Sequence, residues 1–292
     1  MKRELLIDCH TGNRNLPALR MASCLPDMEI CALTACYDPD RLGAEARDLE
    51  TLCRKAGLKA ECAVGARRPM IPRRPCSGGP GPSAEYAHIP ENGYAWDLIC
   101  RKAMAVPDGL TVMLLGPATN LAIALLRYPA LREHIRGVIL AGGSFGFGDV
   151  RPYAERSVFE DAYACKVLLR SGIPVSMIGL SAAADAALTR EELETALRPL
   201  VGEELPGCLR DLSVHRLGDR YVIPSLAAAA WMLDPAAAVT DHFHVEVEVD
   251  GIEMYGRTVI EWRHYLHQPE ETLAATSVRK EALLALMAQC AD

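Results

Sequence analysis

Short apolar runs bounded by Gly, Pro or Asp alternate along this chain with helix-length amphipathic segments, and no other feature of the sequence restricts the fold as much. Neighbouring parallel strands need a connection of a dozen or more residues, usually a helix. A sheet built that way is covered on both faces, so its strands read as almost unbroken apolar stretches. Such runs fall at residues 4–7, 29–36, 111–115, 137–141 and 175–180. Spacing near 3.6 predicts helices over 41–56, 94–104, 120–126, 158–170 and 190–200, with Gly57 and Gly172 as stops. The expected fold class is α/β, an open, mainly parallel sheet flanked by helices.

Two stretches break the rhythm. Residues 67–90 contain P-R-R-P-C-S-G-G-P-G-P, which is too rich in Pro and Gly for a regular element and reads as a loop over the carboxyl edge of the sheet. After an Ala-rich helix at 226–233, residues 242–249 alternate with period two and reach Asp250-Gly251, which predicts a C-terminal antiparallel hairpin into 254–262. Residues 277–291 read as a closing helix. With no repeat or linker composition, residues 1–292 are expected to form one domain.

Composition narrows the function classes. A hydrophobic share of 50% and a charged share of 24% are those of a folding chain. A net charge of −7 offers no broad attraction to phosphate backbones or anionic lipid, so neither nucleic acid nor membrane is an expected partner. The apolar run at Leu5 stops at Asp8, short of a secretory leader, and the expected location is cytoplasmic. Eleven cysteines without a C-x-x-C pair read as reduced, partly buried thiols.

Chemistry is expected where the first strand gives way to Asp8, Cys9, His10, Thr11, Gly12, Asn13, Arg14 and Asn15, because the carboxyl-end crevice of an open α/β sheet is its ordinary ligand site. This stretch resembles the D-x-D-P-G-x-D-D signature of the inosine-uridine nucleoside hydrolases. Four further segments follow in that family's order. L-G-P-A-T-N-L-A from Leu115 is similar to its L-G-P-L-T-N-x-A, and V-I-L-A-G-G from Val138 to its V-x-M-G-G. Gly148-Asp149, then A-E-R-S from Ala154 and Asp161, resembles G-N, A-E-F-N and D-P. G-R-T-V from Gly256 resembles its late G-x-T-V.

The resemblance implies a nucleoside hydrolase fold, a homo-oligomer, and a nucleoside or other ribose-containing small molecule as ligand. It also implies where calcium and substrate would be held, and there this chain departs. His10 stands where the family has its general base and calcium ligand, Asn15 where it has another calcium-binding Asp, and Arg14 where an Asp binds the ribose hydroxyls. Ser157 replaces a ribose-binding Asn, Ser77-Gly78 a loop His-Gly, and Pro224-Ser225-Leu226 a His-Asp-Pro that supplies a calcium ligand and a leaving-group acid. Calcium prefers several hard, anionic oxygens, so no metal is expected. The reading is a divergent member that keeps the scaffold and has lost calcium-dependent cleavage of N-glycosidic bonds. The alternatives are a metal-independent N-ribohydrolase and a noncatalytic binding or assembly protein.

Asp8 and His10 are the candidate catalytic residues, and Arg14, Asn15, Asp149, Glu155, Ser157 and Ser225 the candidate ligand-binding ones. Each has a plainer reading. A strand-end Asp such as Asp8 commonly caps backbone N–H groups, and His10 can fill space left by a metal, or hold a transition metal with Cys9. Arg14 fits a phosphorylated ribose as well as it fits neutralisation of Asp8 or Asp149. His242 and His244, then His264 and His267, read as exposed residues rather than metal ligands.

Overall fold

The computed structural model describes residues 2–36, 38, 46–71, 93–263, 269 and 271–291. Its strands in chain order are β1 (Arg3–Cys9), β2 (Met28–Ala35), β3 (Glu61–Val64), β4 (Leu110–Leu115), β5 (Ile135–Leu140) and β6 (Val175–Met177). They continue with a small ribbon, β7 (Arg216–Leu217) and β8 (Arg220–Tyr221), then β9 (Ala238–Phe243), β10 (Val245–Val247), β11 (Thr258–Ile260) and β12 (Thr272–Val278). The main sheet has eight strands in the order β3-β2-β1-β4-β5-β6-β12-β9, parallel throughout except for β9 against β12. After β1 the chain lays β2 and β3 on one side and then β4 to β6 on the other. The order therefore reverses between β1 and β4, and the crevice at their carboxyl ends is the topological switch point.

Both faces are buried, as the unbroken apolar runs require. On β1, Leu5, Ile7 and Cys9 project into one core, and Leu6 into the other. The first core is covered by α1 (Leu16–Ser23), α2 (Ala46–Lys55) and, later in the chain, helices introduced below. The second is covered by α3 (Ala95–Ala105), α4 (Thr119–Arg127), α5 (Arg156–Glu160) and α6 (Ala162–Leu169). The remaining helices, α7 (Leu180–Ala183), α8 (Arg190–Val201), α9 (Leu205–Asp211), α10 (Pro224–Leu233) and α11 (Lys280–Gln289), return to the first core. Ala227 to Ala230 of α10 are wholly buried, and these small side chains admit α1 on one flank and α11 on the other.

Several expectations shift on contact with the structure. The predicted helix over 158–170 is two helices, α5 and α6, because Asp161 leaves helical geometry and its side chain accepts Ala164 N–H to start the second. The closing helix begins at Lys280, since residues 272–278 supply β12 instead. The alternating run at 242–249 is split: residues up to Phe243 complete β9 of the main sheet, and only β10 pairs with β11 in the expected hairpin. That hairpin has a long connection rather than a two-residue turn, with Glu248 accepting the N–H groups of Asp250 and Gly251. Gly256 ends the connection at φ 78°, where a β-carbon would stand 2.8 Å from Phe159 Cα, so both conformation and space demand glycine. The segment 72–92 and His264 and His267 lie outside the described residues.

One side chain joins the three strand ends on this edge. Asn120, near the start of α4 and fully buried, donates from Nδ2 to Asp8 Oδ1 on β1 and to Ala35 O on β2, each at 2.9 Å. Its Oδ1 accepts Ala66 N–H, just past β3, at 2.8 Å. Asn120→Ala leaves these partners short of a bond in a dry site, where each loss costs about 1–3 kcal/mol. Urea unfolding is expected to show a loss of about 3 kcal/mol or more.

Candidate functional site

The register of the sheet sets the position of Asp8. It lies opposite Thr34 on β2 and Leu114 on β4, and its carboxyl turns to the same side as Leu6. Oδ1 accepts from Thr34 Oγ1 at 2.7 Å and from Asn120 Nδ2 at 2.9 Å, and the equally buried Oδ2 has no hydrogen-bond partner. Burial raises the Asp8 pKa to about 7 against the pull of those two donors. The plainer reading of Asp8 as a cap on backbone N–H groups is replaced by this side-chain clasp.

His10 stands one residue beyond the strand. Its Nδ1 lies 3.3 Å from Leu115 O and its Nε2 3.1 Å from Glu160 Oε2, both buried. A backbone carbonyl only accepts, so Nδ1 carries a proton, and Nε2 meets the carboxyl through a second shared one. Burial and the nearby Arg14 push the imidazolium pKa down, which favours a neutral ring beside the Glu160 carboxyl. Gly116 of the L-G-P turn gives the ring its room, because a β-carbon there would lie 2.7 Å from His10 Cε1. Cys9 faces the opposite core, so Cys9 and His10 do not form a shared metal edge.

Arg14, in the turn before α1, donates from Nη2 to Asp38 at 3.0 Å, both groups buried. Asn15 precedes α1 and donates to His10 O at 3.0 Å. Across the cleft, Glu155 precedes α5 and takes three backbone N–H groups, from Ser157 at 2.9 Å, Gly143 at 2.8 Å and Val158 at 3.3 Å. Burial, with Asp149 nearby, still raises its pKa to about 8. Asp149 accepts Arg156 N–H at 2.9 Å, and the Arg156 guanidinium lies 3.6 Å from Glu160.

His10, Arg14, Asn15, Glu155, Ser157 and Ser225 therefore converge on one small, partly open space of about 20 Å³, enough for about one water molecule. Asp8 does not line it, and Asp149 reaches it only through Arg156. Sequence reasoning missed three contributors: Asp38, Glu160 and His215. His215 ends a 3₁₀ turn (Leu212–His215), lines the cavity, and keeps Nδ1 buried without a hydrogen-bond partner. Burial, Arg14, Arg156 and His10 hold its pKa down at about 3. No sequence signal marked these residues except their residue types, since each arrives from an element distant in the chain. His242 and His244 lie elsewhere, His242 on exposed β9 and His244 beside Pro269 and Glu246. Among the described residues, no group of three or more His, Cys, Asp or Glu side chains is arranged to hold a metal ion.

Residues 5–285 match the profile of a family described as inosine-uridine preferring nucleoside hydrolase. The pyrimidine-specific ribonucleoside hydrolase RihA of Klebsiella pneumoniae (strain 342) is 28% identical over 307 residues, covering 99% of this chain and 98% of RihA. RihB of Shigella flexneri, also named pyrimidine-specific, is 25% identical over 305 residues, covering 99% and 97%. Among solved structures, the plant nucleoside hydrolase PpNRh1 superposes with a TM-score of 0.84 at 22% identity, covering 100% and 99%. An inosine-guanosine nucleoside hydrolase gives 0.83 at 20% identity with the same coverage. At these identities the superpositions establish the fold. Among the described residues no helix is long and apolar enough to cross a membrane.

The raised carboxyls set the sign of a pH dependence. Asp8 and Glu155 hold protons in the folded state up to about 7 and 8, whereas an unfolded chain releases them near 4. Their contribution to stability is thus complete at low pH and is lost as pH rises through those values. The neutral histidines act in the opposite sense, but only below about 6.5, where an unfolded His gains its proton. Urea midpoints are expected to fall between about pH 6.5 and 8. Asp8→Asn, which mimics the protonated acid, is expected to flatten that fall and to exceed the native midpoint at the upper end.

Proposed function

The chain belongs to the inosine-uridine preferring nucleoside hydrolase family, and from that premise we propose a divergent member that keeps the scaffold and a pocket for a ribosyl-type ligand without calcium-dependent N-glycosidic hydrolysis. The observation that carries this reading is the state of His10. It occupies the position from which the family's signature would offer a carboxylate to calcium and to water, and both its nitrogens are already engaged, with Leu115 O and Glu160. Asn15 uses its amide N–H on the His10 carbonyl. Ser225 offers one neutral oxygen, and Asp8 remains the sole acid of the set, with Oδ1 saturated by Thr34 and Asn120. A cation that takes six to eight hard oxygens, several of them anionic, does not fit that donor set.

Without a metal, what the site's own residues can do is bind and move protons. Arg14 and Arg156 offer guanidinium donors, Ser157 and Ser225 hydroxyls, and His215 an unengaged ring nitrogen. A ribose hydroxyl or an anionic substituent on ribose matches this set. The space of about 20 Å³ is far smaller than such a ligand, so on this reading the ligand reaches in with a single substituent or the walls part. The two curated relatives are named for pyrimidine ribonucleosides, which makes uridine and cytidine the first ligands to try. A homo-oligomer in the cytoplasm completes this reading.

A second reading draws on the carboxyl pKa values. A general acid or base works best when its pKa lies near the operating pH, and Asp8 at about 7 and Glu155 at about 8 have such values. Here water would be activated by a side chain alone. Glu155 is less apt, because three N–H groups already occupy its oxygens.

Ribose release from a panel of purine and pyrimidine nucleosides, with calcium and with chelator, tests both readings. The leading one expects no turnover in either condition. Calcium-dependent turnover lost in Asp8→Ala overturns it in favour of the family's ordinary reaction, and calcium-independent turnover lost in that variant favours the second reading.

A further inference from the structure

Of the cysteines among the described residues, Cys24 alone is exposed, and a second thiol stands beside it. Cys24 ends α1, its backbone N–H turned back to Met21 and Ala22 carbonyls, and Cys290 ends α11 in the same way, on Leu286 and Ala288. The two helix ends meet because α1 and α11 both lie against α10. Cys24 Sγ is 3.7 Å from Cys290 O, across 266 positions of chain. The Cys290 thiol is itself within hydrogen-bonding reach of Cys24, and that neighbour adds to burial in pushing its pKa up to about 12.

We propose that Cys24 and Cys290 form a site of reversible oxidation, which a hydroperoxide converts to a disulfide joining the end of α1 to the end of α11. Cys24 is the thiol an oxidant can reach, and the thiolate is the reactive form. The Cys24 sulfur attacks one peroxide oxygen, the O–O bond breaks, and the other oxygen leaves as an alcohol or as water after taking a proton, so Cys24 becomes a sulfenic acid. The Cys290 sulfur then attacks the Cys24 sulfur. The S–S bond forms, the S–O bond breaks, and hydroxide departs as water with the proton Cys290 gives up. In sum, two thiols lose two electrons and two protons, and the hydroperoxide is reduced to an alcohol, or water, plus one water. Because Cys290 gives up its proton reluctantly, closure follows the first step slowly at neutral pH.

The pair has a physical consequence for the fold. A bond across 266 positions removes more freedom from the unfolded chain than a short loop would. It also fixes the far end of the helix that starts directly after Asn15. Elsewhere, Cys53 and Cys62 are also neighbours, but Cys53 is buried and Cys62 half-buried, so neither presents the exposed thiol that Cys24 does.

The full chain treated with hydrogen peroxide and mapped without reductant tests the proposal, which is independent of the function proposed above. The expected product is a peptide pair linked through Cys24 and Cys290, released by dithiothreitol, with a melting temperature higher by about 5 °C or more. Cys24→Ser and Cys290→Ser are each expected to melt with the reduced protein and to lose both the link and the shift. Recovery of Cys24 as a sulfinic acid, or linked to a second molecule, with Cys290 still a free thiol overturns the proposal. So does a peroxide-induced shift that survives in Cys290→Ser.

Discussion

The amide of Asn120 holds together the place where this sheet changes direction. Parallel strands that diverge from a switch point leave their last backbone groups facing a crevice with no further strand to pair them. One buried side chain answers three of these needs, binding a carboxyl on β1, a carbonyl on β2 and an N–H beyond β3. The L-G-P-A-T-N turn can therefore be understood without any reaction. Its Asn is the clasp, its Gly leaves space for His10, and its Thr119 hydroxyl donates to Asp161 at 2.8 Å.

The site balances its charge from within. The acids of the site either face a cation or are raised in pKa by burial. Arg14 meets Asp38, His10 shares a proton with Glu160, and Arg156 faces Glu160 from the other side. Asp8 and Glu155 are driven toward neutrality by burial. Burying charge is costly unless it is paired, and the two substitutions that bring in ionisable side chains, His10 and Arg14, each meet a carboxyl, Glu160 and Asp38.

That also marks what could be read in advance. The alternation of apolar runs and amphipathic segments gave β1, β2, β4, β5 and β6 within a few residues, because strands buried on both faces advertise themselves. Strand β3 was not anticipated: it is four residues at the sheet edge, too short to form a run. Strand β12, Thr272–Val278, mixes Thr, Ala and Ser with few large apolar residues and merged with the helix that follows. Of the residues that line the small space, His10, Arg14, Asn15, Glu155, Ser157 and Ser225 fall in stretches that the resemblance singled out. Their partners do not. Asp38 is 24 positions from Arg14, and Glu160 is 150 from His10, and no local pattern connects residues that only the fold brings together.

The two outer strands of the sheet carry an implication for how this molecule meets others. An unpaired strand edge invites a further strand and, with it, aggregation. At one end stands the four-residue β3, its Glu61 held by Arg101 and Lys102. At the other, β9 runs against its neighbours' direction and presents Asp241 and His242 to solvent. Short length and charge blunt both edges, so the backbone there is not a template for growth.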